Sequence, residues 1–164
     1  MILERATGMS VSRYLEEELW KPMGMEANGS WSLDSTQSGF EKMESGVNAR
    51  ARDFARFGIL YAKEGSWESD QLISQRWIEE STRGDTGTDP SLDYQYFWWV
   101  NTLNEEDHHF SARGKYGQYI YVAPEKDLVI VRLGKEEGER GYEYWIELCE
   151  ELATKLETSA KKSQ

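Results

Sequence analysis

The chain has 164 residues, enough to bury a core of domain size, and 38% of them are hydrophobic, with seven Trp and nine Tyr; that argues against wholesale disorder. Its formal net charge of −11 points away from nucleic acid and anionic membrane as partners and reads as a soluble acidic surface. No apolar run is long enough to span a membrane, and the one cysteine, Cys149, cannot close an internal disulfide.

Residues 1–7 have the pattern of a helix end, with Gly8 as its stop. Ser10 can cap a second helix that carries Val11, Tyr14, Leu15 and Leu19 on one face and ends at Pro22 and Gly24. Residues 26–47 are loop-rich, with a candidate short strand at Ser30-Trp31-Ser32-Leu33. Asn48 is expected to cap a helix that runs to about Ala62 and closes at Gly65; Phe54, Phe57, Gly58 and Tyr61 share a face, and Gly58 admits another element at close range. Asp53 with Arg50, Arg52 and Arg56 reads as a salt-bridged face of that helix. Ser74 caps a short helix to about Ser81, and residues 83–93, rich in Gly, Asp, Thr and Pro, form a loop. A strand follows over Gln95 to Val100, then the acidic loop from Asn104 to Asp107.

The most informative stretch comes next. Gly114-Lys115-Tyr116-Gly117-Gln118-Tyr119-Ile120 holds a glycine-bounded turn between the strand-like runs His109-Phe110-Ser111-Ala112-Arg113 and Tyr119-Ile120-Tyr121-Val122, and a third run, Leu128-Val129-Ile130-Val131-Arg132-Leu133, completes an antiparallel meander. Glycines this close let a ligand approach the main chain; without further information they read simply as a tight hairpin. After Gly141 a final helix, about Tyr142 to Leu156, is expected to bury Trp145, Leu148, Cys149, Leu152 and Leu156. Cys149 on that face reads as a buried thiol rather than a nucleophile. The organisation is therefore one domain over residues 1–157 and a polar, disordered tail over 158–164.

Other constellations carry less. His108 and His109, with Glu105, Glu106 and Asp107, have the residue types of a metal site, but adjacent strand residues point to opposite faces and the chain has no further His, so no metal is expected. Of Trp98 and Trp99, one ring is expected in the core and one at the surface. No phosphate-binding or dinucleotide fingerprint is present, and no organic cofactor is expected.

Residues Ser111 to Leu133 resemble the third-motif region of serine hydrolases of the class C β-lactamase and penicillin-binding-protein superfamily, in particular its 6-aminohexanoate-dimer hydrolase-like and esterase-like branch. Three other segments agree, in family order. They are Ile2-Leu3-Glu4-Arg5-Ala6-Thr7-Gly8 with Leu19-Trp20-Lys21-Pro22-Met23-Gly24-Met25; Gly46-Val47-Asn48-Ala49-Arg50-Ala51-Arg52-Asp53-Phe54-Ala55-Arg56-Phe57-Gly58; and Leu72-Ile73-Ser74-Gln75-Arg76-Trp77-Ile78. The resemblance spans nearly the whole chain. It implies an α/β (α+β) fold of β-lactamase/transpeptidase type, an antiparallel sheet flanked by helices, present here as an incomplete C-terminal part.

The superfamily's nucleophile lies in Ser-x-x-Lys and its second motif is Tyr-x-Asn or Ser-x-Asn. Tyr-x-Asn is absent, and Ser159-Ala160-Lys161-Lys162 has the first spelling only in the polar tail, so the chain is expected to begin just past the second motif. In the family the residue after the third motif's glycine donates one oxyanion-hole N–H. Ala112-Arg113-Gly114 matches that motif by strand position, and Lys115-Tyr116-Gly117 matches it by spelling. The first is preferred, making Gly114 the motif glycine and the Lys115 N–H the catalytic donor, with Arg113, Tyr116, Gly117 and Asn48 as candidate substrate contacts. Ala112 stands where the family has Lys or His, a departure that points away from β-lactam carboxylate recognition and towards small amide or ester substrates. The alternative is a non-catalytic binding or scaffold protein that keeps part of the fold. The run 128–133 would pair in the family fold with an N-terminal strand that this chain lacks, so self-association, or pairing with that missing half, is expected. No signal peptide is visible, and the compartment, bacterial cytoplasm or periplasm, stays open.

Overall fold

The computed structural model describes residues 2–42, 45–84, 94–101, 108–136, 138 and 140–162. The expected loops at 83–93 and 104–107 lie mostly or wholly outside them. Contacts divide the chain into two units, Met1–Arg56 and Phe57–Gln164.

The first unit opens with α1 (Ile2–Thr7), which stops at Gly8 (φ 70°). Ser10 caps α2 (Val11–Leu15) by accepting from the Arg13 N–H, as its position predicts. The apolar face then continues not as α-helix but as a π-helical turn, Glu16–Trp20. β1 (Ser30–Trp31) and β2 (Val47–Asn48) pair antiparallel, Ser30 opposite Asn48. Asn48 is therefore a strand residue and not the expected helix cap. Its side chain donates to Gly46 O (2.8 Å) and Ser32 Oγ (3.2 Å) of its own hairpin, and α3 (Ala51–Ala62) starts three residues later. The charged face at the start of α3 is organised around Glu26, which pairs with Arg52 (3.2 Å) and Arg56 (3.3 Å). Asp53 is buried beside it, where its Oδ1 accepts from the Glu26 N–H at 2.6 Å.

In the second unit, β3 (Ser66–Trp67) and β4 (Asp70–Gln71) form a small hairpin, and Ser74 caps α4 (Gln75–Thr82) as expected. The stretch read as one strand over 95–100 is a hairpin instead, β5 (Tyr94–Gln95) and β6 (Trp98–Val100). Its two turn residues are Tyr96 (φ 42°) and Phe97 (φ 73°), neither of a type that announces left-handed backbone. The meander follows in the expected places: β7 (Phe110–Gly114), β8 (Gln118–Ala123) and β9 (Leu128–Arg132), with a 3-10 turn at Pro124–Lys126. The five strands form one antiparallel sheet in sequence order, so among the described residues β9 is an edge.

Strand alternation gives this sheet two apolar faces. Phe110, Val122, Trp98 and Val100 are buried with Tyr61 and Ile78, beneath α3 and α4. Each such large side chain contributes roughly 1.5–3 kcal/mol by leaving water. Tyr121 and Ala123 face the other way and pack with Cys149 and Ala153 of α5 (Gly141–Lys162). This helix lies on Ile146, Cys149 and Ala153, while Leu152 (41%) and Leu156 (54%) stay exposed, against expectation. Small residues face the sheet because Tyr119 and Tyr121 already fill the space there. The helix also extends to Lys162, over residues for which a disordered tail is expected, and Ser159 lies within it.

Two consequences can be measured. A Cβ at Gly58 would lie 2.6 Å from Val129 Cγ1 and 3.0 Å from Ile120 Cγ2. Gly58→Val should therefore cost about 1–3 kcal/mol or more in urea unfolding, with native-like far-UV circular dichroism. The second concerns Cys149, whose thiol burial, aided by the negative charge of Glu150, pushes up to about 11. The folded state thus holds this proton longer than the unfolded chain, whose thiol titrates near ~8.5. That contribution is whole below the unfolded value and is lost as pH rises from there to about 11. Iodoacetamide at pH 8 should leave Cys149 unmodified until urea unfolds the chain; rapid labelling of native protein would contradict this burial.

Candidate functional site

Five of the six residues singled out in the sequence fall at one place. Arg113 and Gly114 are the last residues of β7, and Lys115, Tyr116 and Gly117 make the turn into β8. The sixth, Asn48, is exposed and belongs to the other unit, with its amide engaged in its own hairpin. Of the two motif spellings, Ala112-Arg113-Gly114 completes the strand and Lys115-Tyr116-Gly117 lies wholly in the turn.

The turn takes its shape from two consecutive left-handed residues, Tyr116 (φ 65°) and Gly117 (φ 75°). Glycine adopts this freely; tyrosine does so at a cost that the surroundings must offset. Both turn ends are fixed. Gly114 pairs with Gln118 across the ladder, and the Gln118 side chain donates to Gly134 O and accepts from the Gly134 N–H at 3.3 Å. Tyr116 is 54% exposed, with Lys115 Nζ 5.2 Å from its ring centroid.

Backbone polarity along β7 follows from one bond. Asn101 N–H donates to His109 O at 2.9 Å, so the main-chain groups of His109, Ser111 and Arg113 point towards β6, and those of Phe110, Ala112 and Gly114 towards β8. The pairing of β6 with β7 ends at Ser111. Continued one residue past the strand, the alternation aims the Lys115 N–H to the side where β6 has stopped. No hydrogen bond occupies that N–H among the described residues. The Arg113 side chain is held over the sheet, with Nε donating to Ser111 Oγ at 3.0 Å and Cζ 4.9 Å from the Trp99 ring. Trp98, in contrast, is buried.

Other reactive groups are committed elsewhere. His108 Nε2 donates to Thr82 O (2.8 Å), and buried His109 donates from Nε2 to Glu150 Oε1 (3.0 Å), so the adjacent imidazoles do go to opposite faces. No cluster of three or more His, Cys, Asp or Glu suited to a metal occurs among the described residues. No described helix is long and apolar enough to cross a membrane. The first unit holds an open cleft of about 780 Å³ beside the π-helical turn, walled by Trp20, Trp31 and Glu41. Its carboxylates are already engaged: Glu41 accepts from Ser12, and Glu16 and Glu17 pair with Lys21. The cleft was invisible in the sequence, as was the role of Gln118 and of Arg132 beside the turn. Their only trace there is a polar residue directly after Gly117 and a lone cation closing an apolar run.

The Beta-lactamase family profile matches residues 1–148. A 6-aminohexanoate-dimer hydrolase of Paenarthrobacter ureafaciens is 31% identical over 142 residues, which is 80% of this chain and 35% of that protein. A provisionally named 6-aminohexanoate-dimer hydrolase from Bacillus anthracis superposes with a TM-score of 0.81 at 28% identity, over 96% of this chain and 41% of its own. A provisionally named beta-lactamase from Bacteroides dorei shares the fold at a TM-score of 0.62 and 15% identity, over 85% of this chain and 48% of its own. The chain thus spans less than half the length of each of these relatives. With a profile match over nearly all its residues, and an antiparallel sheet flanked by helices that superposes on these neighbours, the chain belongs to the beta-lactamase family.

Proposed function

We propose that this chain forms the C-terminal portion of a serine hydrolase that cleaves small amide or ester substrates through an acyl-enzyme. The serine Oγ attacks the acyl carbon, the amine or alcohol leaves with a proton, and water then releases the acid. The nucleophile of Ser-x-x-Lys and the base of Tyr-x-Asn lie outside this chain. Its contribution is the Lys115 N–H, which stabilises the negative charge that develops on the acyl oxygen.

The observation that supports this most is the outward aim of that N–H, unoccupied, at the end of a strand whose partner has stopped short. Arg113 and Lys115 also bring positive charge to this end of a chain whose net charge is −11, which suits an oxyanion. The names of the relatives favour a small substrate of hydrolysis. The edge of β9 is where a further strand of the family fold would pair, from the rest of the protein or from a second copy.

The donor is a backbone group, and that separates two substitutions at one position. In the protein as its native gene encodes it, Lys115→Ala should leave acylation by p-nitrophenyl esters within a few-fold of wild type. Lys115→Pro removes the N–H and should lower it by roughly 10²–10³-fold. A large loss in Lys115→Ala would favour side-chain use by Lys115-Tyr116-Gly117. Equal rates in Lys115→Pro and wild type would end the oxyanion assignment.

A further inference from the structure

The turn is supported from below by a residue that neither motif spelling includes. Arg132 closes β9, and its guanidinium lies under Tyr116 and Gly117. Nη1 donates to Gly117 O, and Nη2 donates to Glu136 O at 3.3 Å. The guanidinium carbon stands 3.8 Å from the ring centroid of Trp145 on α5, close enough for a stacked cation–π contact. Both of these donors of Arg132 thus serve main-chain carbonyls.

Two glycines make room for this arrangement. A Cβ at Gly117 or at Gly134 would collide with Arg132 Nη1. At Gly134 it would also meet Tyr116 O at 2.5 Å. The guanidinium is thus wedged between the turn and residues 134–136, with an indole behind it. The Gly114–Gln118 pair already closes the hairpin, so the fold does not need Arg132 to bring the strands together. What Arg132 fixes is the tip, where Tyr116 holds a φ of 65° that tyrosine does not favour. The Lys115 N–H belongs to the peptide that joins Gly114 to that tip: the ladder gives the side it faces, and the tip's conformation holds it there.

We infer that Arg132, backed by Trp145, is a positioning residue that sets the tip of the β7–β8 turn, and through it the Lys115 N–H, for the acyl oxygen. This rests on the hydrolase reading for its catalytic consequence, but not for its structural one. Arg132 acts through the main chain and touches no reacting atom. Lysine cannot replace it, because an ammonium lacks both the planar fork and the stacking face.

The test uses the natively encoded protein with Arg132→Lys, Trp145→Leu and the conservative Trp145→Phe. Amide hydrogen exchange is read at 116–118 and at 120–122, alongside ester acylation. Arg132→Lys and Trp145→Leu should speed exchange at the tip about tenfold while leaving the ladder amides unchanged. They should also lower kcat roughly ten- to hundredfold at a nearly unchanged KM, and Trp145→Phe should restore both. A double-mutant cycle covers the case in which a variant folds poorly. Gly117→Ala should cost less stability in an Arg132→Ala background than in wild type, because the colliding guanidinium is gone. Tip amides as protected as in wild type, loosening spread evenly over β8 and β9, an additive cycle, or full kcat with a loosened tip would each overturn the proposal. A loosened tip in a protein that shows no acylation even as wild type would instead defeat the hydrolase reading and leave the support of the turn standing.

Discussion

The ladder between β7 and β8 is the constraint on which the second unit depends. Its five pairs run from Phe110 opposite Val122 to Gly114 opposite Gln118. Because side chains alternate, this one register sends Phe110, Ala112, Ile120 and Val122 beneath α3 and α4, and Ser111, Tyr119 and Tyr121 to the face that packs on α5. A slip of one residue would exchange the two faces of β7, turning Ser111 and Arg113 towards Trp98 and Tyr61, and Phe110 away from them. The same register decides where the hairpin turns and which main-chain groups look outward at its end. Packing and the candidate site are therefore two results of one pairing.

The helices obey the sheet rather than the reverse. Gly58 lets α3 come down onto Ile120, Val122 and Val129, and the stacked ring of Phe57 and the tilted ring of Tyr61 close over Trp98. On the opposite face the sheet presents tyrosines, so α5 offers Cys149 and Ala153. The Arg132–Trp145 contact then ties α5 to the turn, joining an element remote in sequence to the place where the chemistry is proposed.

Much of this was legible in the sequence because the physics is local. The meander is announced by β-branched and aromatic runs between glycines, the caps at Ser10 and Ser74 by their position before an apolar period, and the close approach at Gly58 by its place among aromatics. The errors are equally physical. Asn48 has the type of a helix cap, but Ser30 claims its backbone for a strand pair, a partner eighteen positions away that no local rule supplies. The Tyr96-Phe97 turn uses left-handed residues that are neither Gly nor Asn, so nothing marks it. On α5 the largest apolar residues suggest one face, whereas the space beneath Tyr119 and Tyr121 selects the smaller ones. Of the site, the glycine turn could be found from residue types alone. Its supports, Gln118 and Arg132, act from across the hairpin and could not.

The proposed chemistry turns on the Lys115 N–H receiving the acyl oxygen. A crystal structure of the natively encoded protein after phosphonylation by a fluorophosphonate tests it most directly, because the phosphoryl oxygen takes the place of that oxyanion. This oxygen should lie about 2.7–3.1 Å from Lys115 N, with the Tyr116–Gly117 turn unchanged. A phosphonylated serine whose oxygen is bound by other donors, with Lys115 N facing solvent, would contradict it.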